Sequence, residues 1–330
     1  MKPLKIGMIG LSHGHAYSYM HEMSSLTETV LVGIADEEPV RGKDAADKYG
    51  VPYYSDYGDL LASEADAVVI CSTNARHAEL VKAAAAAGKH VLCEKPLGID
   101  REEMREMIEA CRAGGVELMT AFPCRYLSSV VQAKEAIDRG EIGDILAMKG
   151  TNRGKMPGGW FTDRERSGGG AVLDHTVHVA DLMSWFLGNA EATEVYAQIG
   201  TLFHEVDIDD AGMLHFRFDN GVFGVLDPSW SRPAAFPTWG DVTLEIVGTK
   251  GVISIDAFSQ KNEVYGGQSG THWDYWGDNM DRLMIRDFAR SIIRGIPVPI
   301  SGEDGERAAS IALMAYESAA LGRPVSSGQR

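Results

Sequence analysis

Asp174 and His178 stand four residues apart in a segment, Val172 to Leu187, whose apolar pattern predicts a helix. That spacing puts both on one helix face, which Asp181 and Trp185 continue. A carboxylate one turn from an imidazole can fix its tautomer and orientation, as general acid–base chemistry requires; the same pair also suits an ordinary amphipathic helix. Far upstream, Glu94-Lys95-Pro96 follows a short apolar run, and a lysine there either points into a ligand crevice or is solvated in a loop. The first apolar run ends in Gly10-Leu11-Ser12-His13-Gly14-His15. A dinucleotide fingerprint would read Gly-x-Gly-x-x-Gly or Ala at this point. Gly10 fits the first position, while Ser12 and His15 stand at the second and third. The second glycine normally lets the backbone approach a pyrophosphate, and the third allows close helix–strand packing. Asp36 closes the second apolar run, where an acid would accept hydrogen bonds from ribose hydroxyls and repel a 2′-phosphate. Glu37 and Glu38 add negative charge, which favours NAD over NADP. Ser72-Thr73-Asn74 follows a third run and reads either as a ligand-facing edge or as a turn and cap before the next helix.

The elements that must carry these residues alternate over the first 121 positions. Lys5–Gly10, Val30–Asp36, Ala67–Cys71, His90–Cys93 and Val116–Ala121 read as buried strands. Helices are expected over His15–Ser25, Pro39–Tyr49 and His77–Ala87, and one starts at Asp100 with Glu103 in capping-box spacing and stops at Gly114-Gly115. Such alternation implies βαβ units and a parallel sheet. After residue 122 the texture changes. A helix over Ser128–Arg139, a strand over Ile145–Asn152 and a glycine-rich stretch precede the helix of Asp174. Thr193–Leu202, Met213–Phe218, Val222–Leu226, Val242–Val247 and Val252–Ile255 then read as consecutive strands, with Gly248–Gly251 as a hairpin turn, so this sheet should be mostly antiparallel. Two helices, Asn279–Arg294 and Glu303–Leu321, close the chain, and the last is expected to pack back on the first domain. The fold class is therefore α/β: a doubly wound Rossmann domain over 1–121, then an α/β domain with an open, mostly antiparallel sheet over 122–330.

Bulk properties agree with two ordinary globular domains: 330 residues, 45% hydrophobic and 24% charged. A formal net charge of −16 without a basic run argues against nucleic acid and anionic membrane as partners. There is no signal-peptide pattern at Met1–Gly10 and no apolar run long enough to span a bilayer. Cys71, Cys93, Cys111 and Cys124 lack metal or disulfide spacing and read as core thiols in a reduced, cytoplasmic setting.

The segments "KIGMIGLSHGH", "ADAVVICSTNARHAELVKAAAAAGKHVLCEKPLGID" and "GGGAVLDHTVHVADLMSWFLG" together resemble the glucose–fructose oxidoreductase / inositol dehydrogenase / rhizopine-catabolism (Gfo/Idh/MocA) family, over essentially the full length. The resemblance implies an NAD-dependent dehydrogenase acting on a secondary alcohol or ketone of a sugar, cyclitol or polyol, and a homodimer or homotetramer. It implies that Lys95 contacts cofactor and substrate, that His178 transfers the proton and that Asp174 orients it or binds substrate. It makes Glu94, Ser72, Thr73, Asn74, His77 and Arg125 cofactor-side residues, joining Gly10, Ser12, His13, Gly14, His15 and Asp36. His175 departs from the pattern, and on a helix it should point about 100° away from Asp174. Trp160, Arg166, Trp230, Trp239, His272, Trp273 and Trp276 fall in loops and suit either a carbohydrate pocket or core packing. Two other outcomes use the same framework: transient oxidation for glycosidic cleavage or dehydration, and a sensor without catalysis, which would be expected to lose the lysine or histidine. Metal hydrolysis through His13-x-His15, or through Asp174, His175, His178 and Asp181, needs convergent ligands that the sequence does not show, and no metal is expected.

Overall fold

The computed structural model describes residues 2–267 and 270–328. The chain divides into two compact units: Met1–Pro123 with Met280–Glu306, and Cys124–Asn279 with Arg307–Arg330.

The first unit is built on six parallel strands, β1 (Leu4–Ile9), β2 (Thr29–Ala35), β3 (Tyr53–Tyr54), β4 (Ala67–Ile70), β5 (His90–Cys93) and β6 (Leu118–Thr120). Their order is β3-β2-β1-β4-β5-β6. Every residue of β4 is buried, as expected for a strand covered on both faces. The helices are α1 (His15–Ser25), α2 (Pro39–Tyr49), α3 (Tyr57–Leu61), α4 (His77–Ala86) and α5 (Arg101–Gly114). Asp100 caps α5 by accepting from the amides of Glu102 and Glu103 at 2.8 and 3.1 Å, and Gly115 ends it in the left-handed conformation. The two-residue β3 and the five-residue α3 are too short to show periodicity in the sequence, and were not expected.

The second unit holds α6 (Ser128–Asp138), β7 (Ile145–Gly154), α7 (Arg164–Ser167), α8 (Ala171–Phe186), β8 (Ala192–Gly200), β9 (Ala211–Phe218), β10 (Phe223–Ser229), β11 (Gly240–Gly248) and β12 (Val252–Asp256). A hairpin of β13 (Lys261–Gly266) and β14 (Gly270–Tyr275) follows; it places His272 and Trp273 on a strand rather than in a loop, and the sequence does not announce it because none of its residues is buried. The main sheet runs β12-β11-β7-β10-β9-β8, ending on β15 (Val325–Ser326). Among the described residues, only the β7–β10 pair in it is parallel. Alternation along β9 buries Leu214, Phe216 and Phe218 and exposes Met213. The helix α8 lies on one face. A Cβ on Gly150 would come within 2.5 Å of Val179, so glycine is what lets helix and strand approach.

The domain boundary read from the sequence needs a correction. The sequence places 122–330 in one domain and expects its last helix to pack back on the first, whereas α9 (Met280–Arg294) and the first residues of α10 (Gly302–Leu321) group with the first unit and the rest of α10 with the second. The reason is packing: α9 buries Met284, Ile285, Phe288 and Ala289 and packs against α1. Arg282–Glu22 (2.9 Å) and Arg290–Glu28 (2.6 Å) ion pairs flank that contact.

Candidate active site

The loop after β1 is shaped by contact with the loop after β4. Gly10 has φ +81°, and a Cβ there would stand 3.0 Å from the backbone of Ser72. Only glycine satisfies both conditions. Gly14 caps α1 without a side-chain bond, and nothing lies within 4 Å of where its Cβ would be. The positive end of α1 thus meets open space, which suits an anion. Asp36 is buried at the end of β2. Its Oδ2 accepts the Leu11 amide at 2.6 Å and its Oδ1 the Glu38 amide at 2.8 Å. A cleft of about 180 Å³ runs past Gly10, Ser12, Asp36, Glu37, Ser72 and Arg76.

Two arginines pair with acids of this cleft, and one of them, Arg76, lines it. Arg41 Nη2 lies 2.7 Å from Asp36 Oδ1 and 3.4 Å from Ser12 Oγ. Arg76 pairs with Glu37 at 2.7 Å. Glu38 spends its carboxylate capping α2, accepting from Val40 and Arg41 amides. All three acids are therefore compensated, Asp36 by Arg41, so net negative charge does not carry the preference for NAD; what Asp36 keeps is its place at the end of β2, where an acid meets ribose hydroxyls.

His15, at the position of the third fingerprint glycine, is tied down rather than intrusive. Its Nδ1 lies 2.9 Å from Glu94 Oε1, and Tyr19 Oη donates to the same oxygen at 2.6 Å. Glu94 Oε2 accepts the Lys95 amide at 2.9 Å. The rings of His13 and His15 are 4.2 Å apart, and the His15 amide donates to His13 Nδ1 at 3.2 Å. Burial alone would raise the Glu94 pKa, but the charges of His13 and His15, with the His15 bond and Lys95, hold it well below the usual carboxylate range. For His15, burial pulls downward, and the charge and hydrogen bond of Glu94 outweigh it, so its pKa is raised. Burial and then the Glu94 charge push Tyr19 well above the ordinary phenol value. Among the described residues, His13, His15 and Glu94 each bring one potential ligand atom within 4.8 Å of the others. The alternative helix cluster includes Asp181, whose carboxylate is committed to Arg125.

Lys95 is buried at the carboxyl end of β5, the sheet neighbour of β4. Ser72, Thr73 and Asn74 are buried at the end of β4, where the Ser72 hydroxyl donates to the Thr73 carbonyl at 3.0 Å. His77 is fully buried and braces the segment after Lys95, with Nδ1 2.9 Å from the Pro96 carbonyl, and burial lowers its pKa. The four cysteines are free and buried, and burial pushes Cys111 up to about 12.

In the second unit, α8 starts at Gly170, which has no side chain to cap it. Asp209 does so from the segment before β9. Its Oδ1 accepts the Gly170 amide at 2.9 Å and its Oδ2 the Val172 amide at 2.8 Å. Tyr316 Oη donates to Asp209 at 2.9 Å and accepts the Leu173 amide at 3.1 Å. Asp174 and His178 are both buried on this anchored helix. Trp230 directly follows β10, outside any strand, and serves core packing: it is wholly buried and donates its Nε1–H to Asp174 Oδ2 at 3.2 Å. His175 differs from expectation, since its ring turns back to bring Nε2 within 3.3 Å of Asp174 Oδ2. Arg125 gives its guanidinium to Asp181 through bonds of 2.8 and 2.6 Å. It also stacks on the Trp185 ring at 5.2 Å. Nothing in the local sequence around Asp209 or Tyr316 marks them as cap residues, because they reach α8 from distant segments.

Comparison with known proteins follows from this geometry. Residues 4–122 match the oxidoreductase family with the NAD-binding Rossmann fold (GFO/IDH/MocA), and residues 130–254 match the GFO/IDH/MocA C-terminal domain. The chain is 32% identical to the uncharacterised oxidoreductase YrbE of Bacillus subtilis, over 97% of this chain and 94% of that protein. It is 31% identical to a myo-inositol 2-dehydrogenase of Thermotoga maritima, over 96% of both. A solved levoglucosan dehydrogenase, in complex with NADH and L-sorbose, superposes with a TM-score of 0.85 at 28% identity, covering 100% of both chains.

Proposed function

This chain belongs to the GFO/IDH/MocA family of NAD-binding oxidoreductases, and from that premise we propose that it oxidises a secondary alcohol of an uncharged sugar or cyclitol. The observation that carries the reading is Lys95 at the carboxyl end of β5, in line with the Gly10 and Ser72 loops that end the neighbouring β1 and β4. α/β sheets take their ligands at that edge. The residues present fit a dinucleotide: open space before Gly14 at the α1 terminus suits the pyrophosphate, and Asp36 suits a ribose. Bound NAD supplies the hydride acceptor. Lys95 offers its ammonium to the developing alkoxide. His178 takes the hydroxyl proton on its imidazole, and Asp174 orients the alcohol or the imidazole. The relatives named for inositol and levoglucosan support the substrate class.

The test is a titration with NAD and NADP, then a sugar and cyclitol screen for NADH. We expect tighter binding of NAD and steady NADH release with at least one polyol. Lys95→Met and His178→Gln should each lower turnover by about 10²–10⁴-fold while leaving NAD affinity within a few-fold. Loss of affinity in step with turnover would refute these roles. NAD binding without net NADH on any polyol would favour transient oxidation. For assembly, we propose pairing of two copies through the open face of the main sheet, which exposes Tyr196, Met213, Phe223 and Val225. A monomer by light scattering would sink that assembly.

A further inference from the structure

We infer that His175 and Asp174 hold one proton between them, making His175 a positioning residue that neutralises Asp174 and so keeps His178 in its proton-accepting form. The inference deepens the dehydrogenase reading and rests on it for the role of His178.

The argument begins with acceptors. His175 Nδ1 lies 3.0 Å from the Asn152 carbonyl oxygen and 3.1 Å from that of Ser229. Carbonyl oxygens only accept, so Nδ1 carries a hydrogen. In a neutral imidazole the other nitrogen then bears a lone pair. That nitrogen, Nε2, is 3.3 Å from Asp174 Oδ2. A lone pair against an ionised carboxylate would be two acceptors in contact inside the protein. The arrangement closes only with a proton between them, as imidazolium and carboxylate or as imidazole and carboxylic acid. In either form the pair is neutral overall.

The ring is held for this contact. Asn152 Nδ2 donates to the His175 carbonyl at 3.0 Å, and the Trp239 ring meets the imidazole edge-on at 6.0 Å. Gly154 leaves the room: a Cβ there would stand 2.6 Å from His175 Cε1. From β7 and β10 the Asn152 and Ser229 carbonyls face the ring. Alternation along β7 sends Arg153 to the opposite face, where it pairs with Asp227, and Arg232 pairs with Asp241. On α8 itself the titratable neighbours are Asp174 and, one turn on, His178. Trp230 donates to Asp174 and cannot titrate in this range.

The consequence falls on His178. An ionised carboxylate one turn away favours the imidazolium and would leave His178 already protonated. A neutral His175–Asp174 pair withholds that charge, so His178 stays able to take the proton of an alcohol.

The test uses the full chain with NAD and needs no substrate. Histidine-labelled protein is titrated by ¹⁵N NMR, with His175→Gln and His178→Gln assigning the signals. We expect His175 Nε2 to report a bound or shared proton at neutral pH. We expect the His178 midpoint to rise by roughly one pH unit in His175→Gln, because the Asp174 carboxylate then lacks the proton that His175 shares with it. Gly154→Ala, which pushes the ring off Asp174 without removing a titratable group, should move it the same way and carries the test if His175→Gln does not fold. A neutral His175 with an unprotonated Nε2, or an unmoved His178 midpoint in the folded variant, overturns the proposal. These readings stand apart from activity, so a failed polyol screen would sink the dehydrogenase reading without deciding this one.

Discussion

Replacing Asp209 by alanine should loosen the helix that carries Asp174 and His178 more than any change at the two residues themselves. The carboxylate takes the Gly170 amide, the Val172 amide and the Tyr316 hydroxyl, all within 2.9 Å, and it is itself buried. Loss of an N-cap costs about 0.5–2 kcal/mol. Hydrogen bonds to a charged group contribute about 1.5–3 kcal/mol each, and removing the acceptor strands amides that have no other cap, since Gly170 supplies no side chain. These contributions overlap, so the expected cost is about 3–5 kcal/mol rather than their sum. At 2–4 °C per kcal/mol, typical for units of 150–250 residues, the second unit should melt about 6–20 °C lower. Tyr316→Phe removes one donor to Asp209 and one acceptor for Leu173, and should cost about 1–2 kcal/mol. Thermal unfolding by circular dichroism measures both, with NAD titration as the control that the first unit is intact. An Asp209→Ala protein within about 1 kcal/mol of wild type, or a Tyr316→Phe protein that is the worse of the two, would refute the capping argument.

The Arg125–Asp181 pair is buried on both sides, with side-chain exposures of 6% and 1%. Arg125→Met alone should destabilise by about 3–5 kcal/mol, and adding Asp181→Leu should recover most of that, as measured by urea unfolding of the single and double variants. NAD affinity unchanged in the folded double variant would show that Arg125 is not a cofactor contact. At the α1 loop, the raised pKa of His15 means that its pairing with Glu94 adds stability below the unfolded value of about 6.5, lost as pH rises through the folded value. The depressed pKa of Glu94 adds stability above its own unfolded value of about 4.3, lost as pH falls through the folded one. His15→Asn should therefore lower the melting temperature more near pH 6 than near pH 9, and an equal drop at both would argue against the ion pair.

Much of this protein is written locally. The alternation of apolar runs and capped helices up to residue 121, the glycine after β1, the acid after β2 and the lysine after β5 all follow from periodicity, turn chemistry and strand-end position, which neighbouring residues determine. The i, i+4 spacing of Asp174 and His178 is likewise a property of the helix they sit on. What lay outside the sequence's reach is where side chains find partners from distant segments. His15 meets Glu94 and Tyr19, Asp36 meets Arg41, Arg125 is consumed by Asp181, and α8 takes its cap from Asp209 and Tyr316. The clearest case is His175. Helix geometry turns neighbouring side chains about 100° apart, yet two backbone carbonyls from separate strands and the missing Cβ of Gly154 draw its ring back onto Asp174. Local sequence sets which element a residue rides on, and only the tertiary packing of β7 and β10 against α8 decides which charge it faces.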